Sequence, residues 1–449
     1  MTLTSTACVS AVRDRRAFAL LGSAQTTLIY TLSAIAVPLP EIGREFTLAR
    51  ADLILLSAAY GLSFAGLVLF GGRLADRFGG RRSLTAGLLL FAAASAVAPL
   101  AQGLGVLLAA RFVQGAGAAV VAPAAMAVLR TVFPTPAAYG RAMATWGGLS
   151  VLGAAAGNLL SGVLTSLLSW RWALAVPLMV AVAALVLAPR LLPGTAPNRG
   201  RSLDLPGAVL ATAGITLAGY GFLVTDGRSW LSADVLVPLL GGAALTATFR
   251  YAERRSRDPL LPPGFLGDRP RALGLAATAL SACGTGMTFV VLSLHLQQDR
   301  DWSQLETSAA FLPFALALIG SGRAAGPLVH RYGAGSVGAW GLVTAAAGLV
   351  LLAVTGFDVR TPYVLGLLPG LVVLPAGAAA SFAGAAVLTT EGVPPEQGGL
   401  AGGVLNTAME LGPTVLFAVL LTVGGDATSL TVTAVALAAL ALLHHPRTK

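Results

Sequence analysis

Charge is what this chain has least of. Asp, Glu, Lys and Arg make up 11% of its 449 residues, against roughly 25% in an ordinary soluble domain. Together with 56% hydrophobic residues and a mean hydropathy of +0.79, this shortage excludes a solvated globular domain and indicates a polytopic membrane protein. Cysteine is nearly missing. Cys8 lies near the start and Cys283 inside an apolar run, which excludes a disulfide framework and a thiolate metal cluster. No phosphate-cradling glycine loop of the P-loop type occurs, which argues against ATP drive. No nucleophile or metal-ligand constellation marks an enzyme, and no cofactor is expected. Long loops are lacking too, so a membrane-embedded sensor or assembly factor would have no soluble domain to signal through.

The few charges present are mostly basic: 29 Lys and Arg against 19 Asp and Glu, a net charge of +10. The arginines are scattered through short loops between apolar runs and form no basic face, so they read as a membrane topology signal and not as a nucleic-acid surface. Arg13, Arg15 and Arg16 precede the apolar run from Phe18 to Leu39. That run is longer than a signal-peptide core and has no clear small-residue cleavage site, so it is expected to stay as the first span.

A bilayer crossing needs about 20 apolar residues. Dividing the chain at its charges, prolines and turn clusters predicts fourteen spans: 17–39, 51–71, 83–101, 104–129, 142–166, 170–189, 205–225, 233–250, 272–296, 306–326, 335–356, 362–389, 398–423 and 427–444. An even number places both termini on one side. With the termini cytoplasmic, 22 of the 29 basic residues fall inside, six outside, and Arg111 within a span, which satisfies the positive-inside rule.

Glycine and arginine concentrate at one place, Gly71-Gly72-Arg73-Leu74-Ala75-Asp76-Arg77-Phe78-Gly79-Gly80-Arg81-Arg82, between spans 2 and 3. It reads as a tight cytoplasmic hinge, since charges leave hydrocarbon and glycines permit a sharp reversal. A weaker copy, Gly326 to Gly333, lies between spans 10 and 11. Gly326, Leu328, Arg331 and Gly333 match Gly72, Leu74, Arg77 and Gly79; Tyr332 stands for Phe78 and His330 for Asp76. Two duplicated bundles are a common transporter plan, with the substrate path between them. The expected division is a six-helix bundle over 1–192, an inserted helix pair (spans 7 and 8) over 193–250, a cytoplasmic connector over 251–271 and a second six-helix bundle over 272–449.

These residues resemble the major facilitator superfamily and, within it, the fourteen-helix drug/proton antiporter branch. Gly72, Leu74, Asp76, Arg77, Gly79, Arg81 and Arg82 are similar to the loop between helices two and three of that superfamily, with Gly80 as an extra residue. Arg111-Phe112-Val113-Gln114-Gly115-Ala116-Gly117 resembles its fourth-helix motif, Ser169-Trp170-Arg171-Trp172 the element before its sixth helix, and Gly403-Val404-Leu405-Asn406-Thr407 the start of the thirteenth. The resemblance implies an all-α membrane fold and proton-coupled export of a small amphipathic or drug-like compound by alternating access, from the cytoplasmic membrane and as a monomer. An uncoupled facilitator or importer of the same fold is the alternative. Two positions favour it: Thr31 stands nine residues ahead of Pro40, where the branch usually has an acid, and Asn158 follows Gly157, where it usually has proline.

Among single residues, Arg111 is a cation at span depth, which costs about 2.5 to 3.5 kcal/mol without compensation. It either lines the cavity and senses substrate or proton occupancy, or braces the helix end. Glu410 is the one acid well inside a span and shares a predicted helical face with Asn406 and Thr414. With Thr31 unable to titrate, Glu410 is the leading proton carrier; otherwise it is a neutral, hydrogen-bonded group between the halves. Gln25, Tyr30, Thr31, Gln114, Asn158, Phe289, His295, Gln297 and Asn406 are candidate cavity contacts, each also readable as a packing or interface residue. Asp226 reads as a solvated loop charge. The hinge candidates are Gly72, Asp76, Arg77, Gly79, Arg81, Arg82, Gly326, Arg331 and Gly333, with charges that either latch the halves or simply anchor the loop.

Overall fold

A computed structural model describes residues 2–194, 203–225, 228–256, 259, 264–393, 398–416 and 425–444. The described residues hold helices and no strand. In chain order the helices are α1 (Thr2–Ser33), α2 (Leu39–Phe46), α3 (Arg50–Phe78), α4 (Gly80–Val97), α5 (Leu104–Val132), α6 (Pro136–Leu167), α7 (Trp170–Leu191), α8 (Leu205–Val224), α9 (Ala233–Arg255), α10 (Arg269–Gln298), α11 (Gln304–Ala310), α12 (Leu312–Tyr332), α13 (Ala334–Leu351), α14 (Tyr363–Gly366), α15 (Leu368–Thr390), α16 (Gly398–Leu411) and α17 (Asp426–His444). Among the described residues, eleven of the helical segments are long and apolar enough to cross a membrane, and Leu152–Leu167 is a shorter apolar stretch.

Several boundaries differ from the sequence reading for local reasons. The first span ends at Ser33 rather than residue 39, and Pro38 and Pro40 start a separate short helix, α2; proline suits the first turn, where its missing N–H has no partner to lose. The tenth span is broken at Phe311 into α11, started by a Ser303–Glu306 capping box, and α12. The connector is shorter than 251–271, because α9 continues to Arg255 and α10 begins at Arg269, where the Asp268 carboxylate accepts from the Arg271 N–H. After α16 the chain passes into a π-helical turn, Gly412–Leu416. The wider turn puts Thr414 out of the register that a continuous helix would give it relative to Asn406 and Glu410.

The charged stretch also departs from expectation. It is not a loop: α3 runs through Arg73, Asp76 and Arg77 to Phe78, α4 starts at Gly80, and Gly79 alone makes the reversal, at φ 88° and ψ 141°. Likewise α12 runs to Tyr332 and Gly333 makes the turn, at φ 83° and ψ 153°. This backbone region is open essentially only to glycine. Gly71 serves packing instead, since a Cβ there would overlap the Ala119 carbonyl and lie 2.9 Å from Val120 Cα.

Two large apolar cores result. One joins α1 and α3–α7 around Leu21, Leu28, Leu84, Phe91, Val121 and Trp146. The other joins α10, α12, α13, α15 and α17 around Met287, Leu292, Leu342, Leu349, Leu374 and Leu437, with Ile54 and Leu62 of α3 packed against it; α16 packs instead in a small separate core, through Ala401, Val404 and Ala408 with Phe265 and Leu275, against Leu69 of α3. Helices α8 and α9 pack on each other, and α8 on α3 at Gly66, where a Cβ would lie 2.8 Å from Thr212 Cα. A smaller core at the end far from Gly79 seats α2 through Leu39 and Ile42 against Leu53, Leu107, Trp170 and Leu294.

Candidate functional site

At the end of the molecule far from Gly79, side-chain hydrogen bonds tie the two cores. Ser293 Oγ on α10 donates to Ala36 O (3.0 Å) and Gln297 Nε2 to Val37 O (3.0 Å). Gln304 Nε2 on α11 donates to Glu41 Oε2 on α2 (2.8 Å), and Ser308 Oγ to Asn158 O on α6 (3.0 Å). Gly162 makes the last approach feasible, because a Cβ there would lie 2.6 Å from Ser308 Cβ. Arg50 and Asp426 add an exposed ion pair between α3 and α17.

At the end nearer Gly79 the contacts fall on one side. Arg73 on α3 donates to Pro259 O, and Asn406 on α16 meets Met126 Sδ on α5 at 4.0 Å. Among the described residues, Cβ atoms added at Gly320, Gly322, Gly326 or Gly333 of α12 would meet nothing within 4 Å, and Arg323, His330 and Arg331 are exposed.

Arg111 is wholly buried. Its Nη1 donates to Thr31 O at 2.7 Å and its guanidinium lies 5.1 Å from the Tyr60 ring centroid, while Nε and Nη2 have no hydrogen-bond partner. Tyr60 in turn donates from its hydroxyl to Leu28 O (3.1 Å), and a Cβ at Gly115 would lie 2.9 Å from Tyr60 C, so α1, α3 and α5 meet at this point. Thr31 contributes its backbone carbonyl, not its hydroxyl, which donates to Thr27 O (2.7 Å). One turn on, Gln114 Nε2 donates to Ser95 Oγ (2.9 Å) and its Oε1 is orphaned. A buried cation with two unanswered donor nitrogens is an energetic liability that favours any rearrangement bringing an acceptor.

The structure gathers some cavity candidates and separates others. Asn158 and Phe289 meet, with Phe311 and Phe314, around a cavity of about 10 Å³ between α6 and the pair α10 and α12. Gln25 instead donates to Ser150 Oγ (3.2 Å) and Tyr30 to Ala173 O (3.0 Å), both within the first core. His295 lies outside the cavity, at the end of α10. Its Nδ1 is 2.7 Å from Asp299 Oδ2, and Arg300 Nε donates to its Nε2 (3.3 Å) while Arg300 also holds the carbonyls of Gly356, Asp358 and Thr361. Glu410 lies on α16 and its side chain falls outside the described residues, as do those of Thr414 and Asp226. Of the hinge residues, Arg81 donates to Leu192 O (3.2 Å), and Arg77 and Arg331 lie over Phe78 and Tyr332, at 5.8 and 5.2 Å from the ring centroids. Asp76 and Arg82 sit on consecutive helices astride Gly79.

Sequence reasoning missed Glu45. Its carboxylate takes both Nη groups of Arg171 (3.0 and 2.6 Å) and the Trp170 indole N–H (2.6 Å), with Arg171 stacked on Trp170 at 4.3 Å. The Arg171 bonds hold the Glu45 carboxyl below its ordinary range. The signal was present: a Trp-Arg pair opening a helix calls for a nearby acid, and Glu45 lies in the segment between the first two predicted spans. Ser293 and Ser308 carried no comparable signal, because a serine in an apolar helix usually answers its own turn.

Residues 19–417 match the Major Facilitator Superfamily, and the chain belongs to that superfamily of membrane transporters. It is 36% identical over 409 residues, 91% of this chain and 81% of the relative, to the puromycin resistance protein pur8 of Streptomyces alboniger. It is 37% identical over 419 residues, 92% and 85% respectively, to the cephamycin export protein CmcT of Amycolatopsis lactamdurans. A lincomycin resistance protein of Streptomyces lincolnensis is 32% identical over 403 residues, covering 89% of this chain and 82% of the relative. Among solved structures, a peptide transporter POT in complex with sulfate superposes with a TM-score of 0.70 at 14% identity, covering 96% of this chain and 93% of that one; this likeness concerns the fold.

Proposed function

We propose that this chain exports a small amphipathic, antibiotic-like compound across the cell membrane by alternating access, driven by proton influx. The observation that carries the reading is the asymmetry between the two ends. Hydrogen bonds tie the cores far from Gly79, while at the near end the described residues leave Gly320, Gly322, Gly326 and Gly333 of α12 uncovered, as a transporter open towards the Gly79 side would have it. Basic residues cluster on that side, so it is the cytoplasmic one under the positive-inside rule, with both termini inside. The relatives that resist puromycin and lincomycin or export cephamycin support export and the substrate class.

In this reading fourteen helices cross the membrane: six over 1–192, an inserted pair over 193–250, and six over 272–449, joined by the connector and working as a monomer. The division follows the two cores and the separate packing of α8 on α9. Gly79 and Gly333 are equivalent pivots, and the charges of Asp76, Arg77, Arg81, Arg82 and Arg331 latch and release the near end. Glu410 carries the proton, taking it from outside and releasing it inside. Arg111 answers to occupancy of the path: its two unpartnered donor nitrogens gain acceptors when the helices rearrange. The test is a susceptibility panel of cells expressing the native chain or Glu410→Gln, including puromycin, lincomycin and a cephamycin, with pH-gradient-driven transport measured in parallel. Protection by the native chain alone is the expected result; no protection against any compound contradicts the export reading.

A further inference from the structure

The cavity between α6, α10 and α12 has an unusual lining. Phe289 packs on Phe311 and Phe314 with ring centroids 4.8 Å apart in both pairs, and Leu159 and Leu318 complete the apolar wall. The one amide in that wall belongs to Asn158, which is 1% exposed. Its Nδ2 donates to Ala154 O (3.1 Å), which fixes the amide orientation, and its Oδ1 has no partner at all. Its backbone carbonyl is the acceptor for Ser308 Oγ. One residue thus ties α6 to α11, lines an aromatic cavity and holds an unanswered acceptor.

We infer that this cavity is the closed form of a ligand subsite. Its occupant is an aromatic molecule carrying an N–H or O–H donor, with the ring against the phenylalanine trio and the donor on Asn158 Oδ1. In the present state the cavity has room for about one water, so the subsite opens as α6 and α12 part. The chemistry follows from the wall. Three phenyl rings offer edge-to-face stacking and negative ring faces that favour a planar or cationic aromatic group. A buried acceptor without a partner disfavours occupants that bring no donor, because it stays dehydrated and unpaired. Asn158 is therefore a specificity-determining residue. The inference names the substrate class of the proposed exporter and rests on that reading for its physiological meaning, but the binding itself does not depend on transport.

The experiment is equilibrium binding to the purified full chain in lipid nanodiscs, without a gradient, using two aromatic cations. Ethidium is planar and carries two amino groups; tetraphenylphosphonium has no hydrogen-bond donor. Asn158→Leu is expected to raise the ethidium Kd about tenfold, and to move the tetraphenylphosphonium Kd by less than about twofold. Asn158→Asp keeps an acceptor and is expected to retain ethidium binding, whereas Phe289→Ala weakens both probes. If Asn158→Leu does not fold, Asn158→Ala removes the acceptor without adding an apolar branch and gives the same comparison. Equal loss of both probes in the Asn158 variants, no loss of either, or no binding of either to the native chain overturns the inference. Binding in the expected pattern without gradient-driven movement keeps the subsite and overturns the export reading instead.

Discussion

Gly71 and Gly72 are adjacent in the same motif, yet the structure predicts opposite outcomes for replacing them by alanine. At Gly71 a Cβ would overlap the Ala119 carbonyl oxygen and lie 2.8 Å from its carbon and 2.9 Å from Val120 Cα. All three atoms are backbone, so no rotamer change relieves the clash and α3 must move away from α5 along the first core. Overpacking of this kind costs typically 1–3 kcal/mol, and about 3 is the appropriate end for a backbone obstruction. Alanine returns about 1 kcal/mol in helix propensity, leaving a net loss of about 2 kcal/mol, or roughly thirtyfold in the folded-to-unfolded ratio. At Gly72 the nearest atom is Pro123 Cβ at 3.9 Å, an ordinary contact. Gly72→Ala therefore gains up to about 1 kcal/mol from propensity alone. Thermal unfolding of the two detergent-purified variants, followed by size-exclusion chromatography after heating, should place Gly71→Ala below the native chain and Gly72→Ala at or above it. Equal transitions, or the reverse order, would refute the assignment of Gly71 to helix packing and would return the pair to a flexible hinge.

Gly79→Ala and Gly333→Ala each place a side chain at φ above +80° and should each cost about 1–3 kcal/mol in the same assay; a large cost at one and none at the other would break their equivalence. The lowered Glu45 carboxyl contributes stability that is present above the unfolded value of about 4.3 and lost as pH falls through the folded one, so the native chain should lose it below about pH 4. Glu45→Gln, discounted for the pair's exposure, should cost about 0.5–1 kcal/mol at pH 7 and flatten that acid limb; an unaltered acid limb removes Arg171 as the cause. Arg111→Met should leave membrane insertion intact or improved, since it removes a cation worth about 2.5 to 3.5 kcal/mol at span depth, while abolishing transport; full transport would make Arg111 a structural brace.

The helices were legible because apolar runs and basic loops obey the bilayer's demands over twenty residues at a time. Their ends were less so. The sequence marks Arg73, Asp76 and Arg77 as unfit for hydrocarbon, but nothing in that criterion stops a helix from projecting beyond it, and α3 does. The π-helical turn at Gly412 was hidden for a different reason: it arises where Gly412 packs against the Ala279 carbonyl, a contact between segments 133 residues apart. Among site residues, Arg111 and Asn158 stood out as polar groups in apolar helices, and both prove to hold unanswered hydrogen-bonding atoms. Gln25, Tyr30 and His295 looked equally polar in sequence; tertiary contacts give the first two a partner elsewhere, and His295 finds its partners locally in Asp299 and Arg300.

Proton-driven export is measured as substrate movement into everted vesicles or proteoliposomes under an imposed pH gradient, for the native chain and for Glu410→Gln at matched protein levels. The substrate is the compound against which the native chain gives the strongest protection. Uptake should collapse when the gradient is dissipated and be abolished in Glu410→Gln with binding retained. Gradient-driven uptake undiminished in Glu410→Gln would remove Glu410 as the coupling acid, and native uptake indifferent to the gradient would contradict proton drive itself.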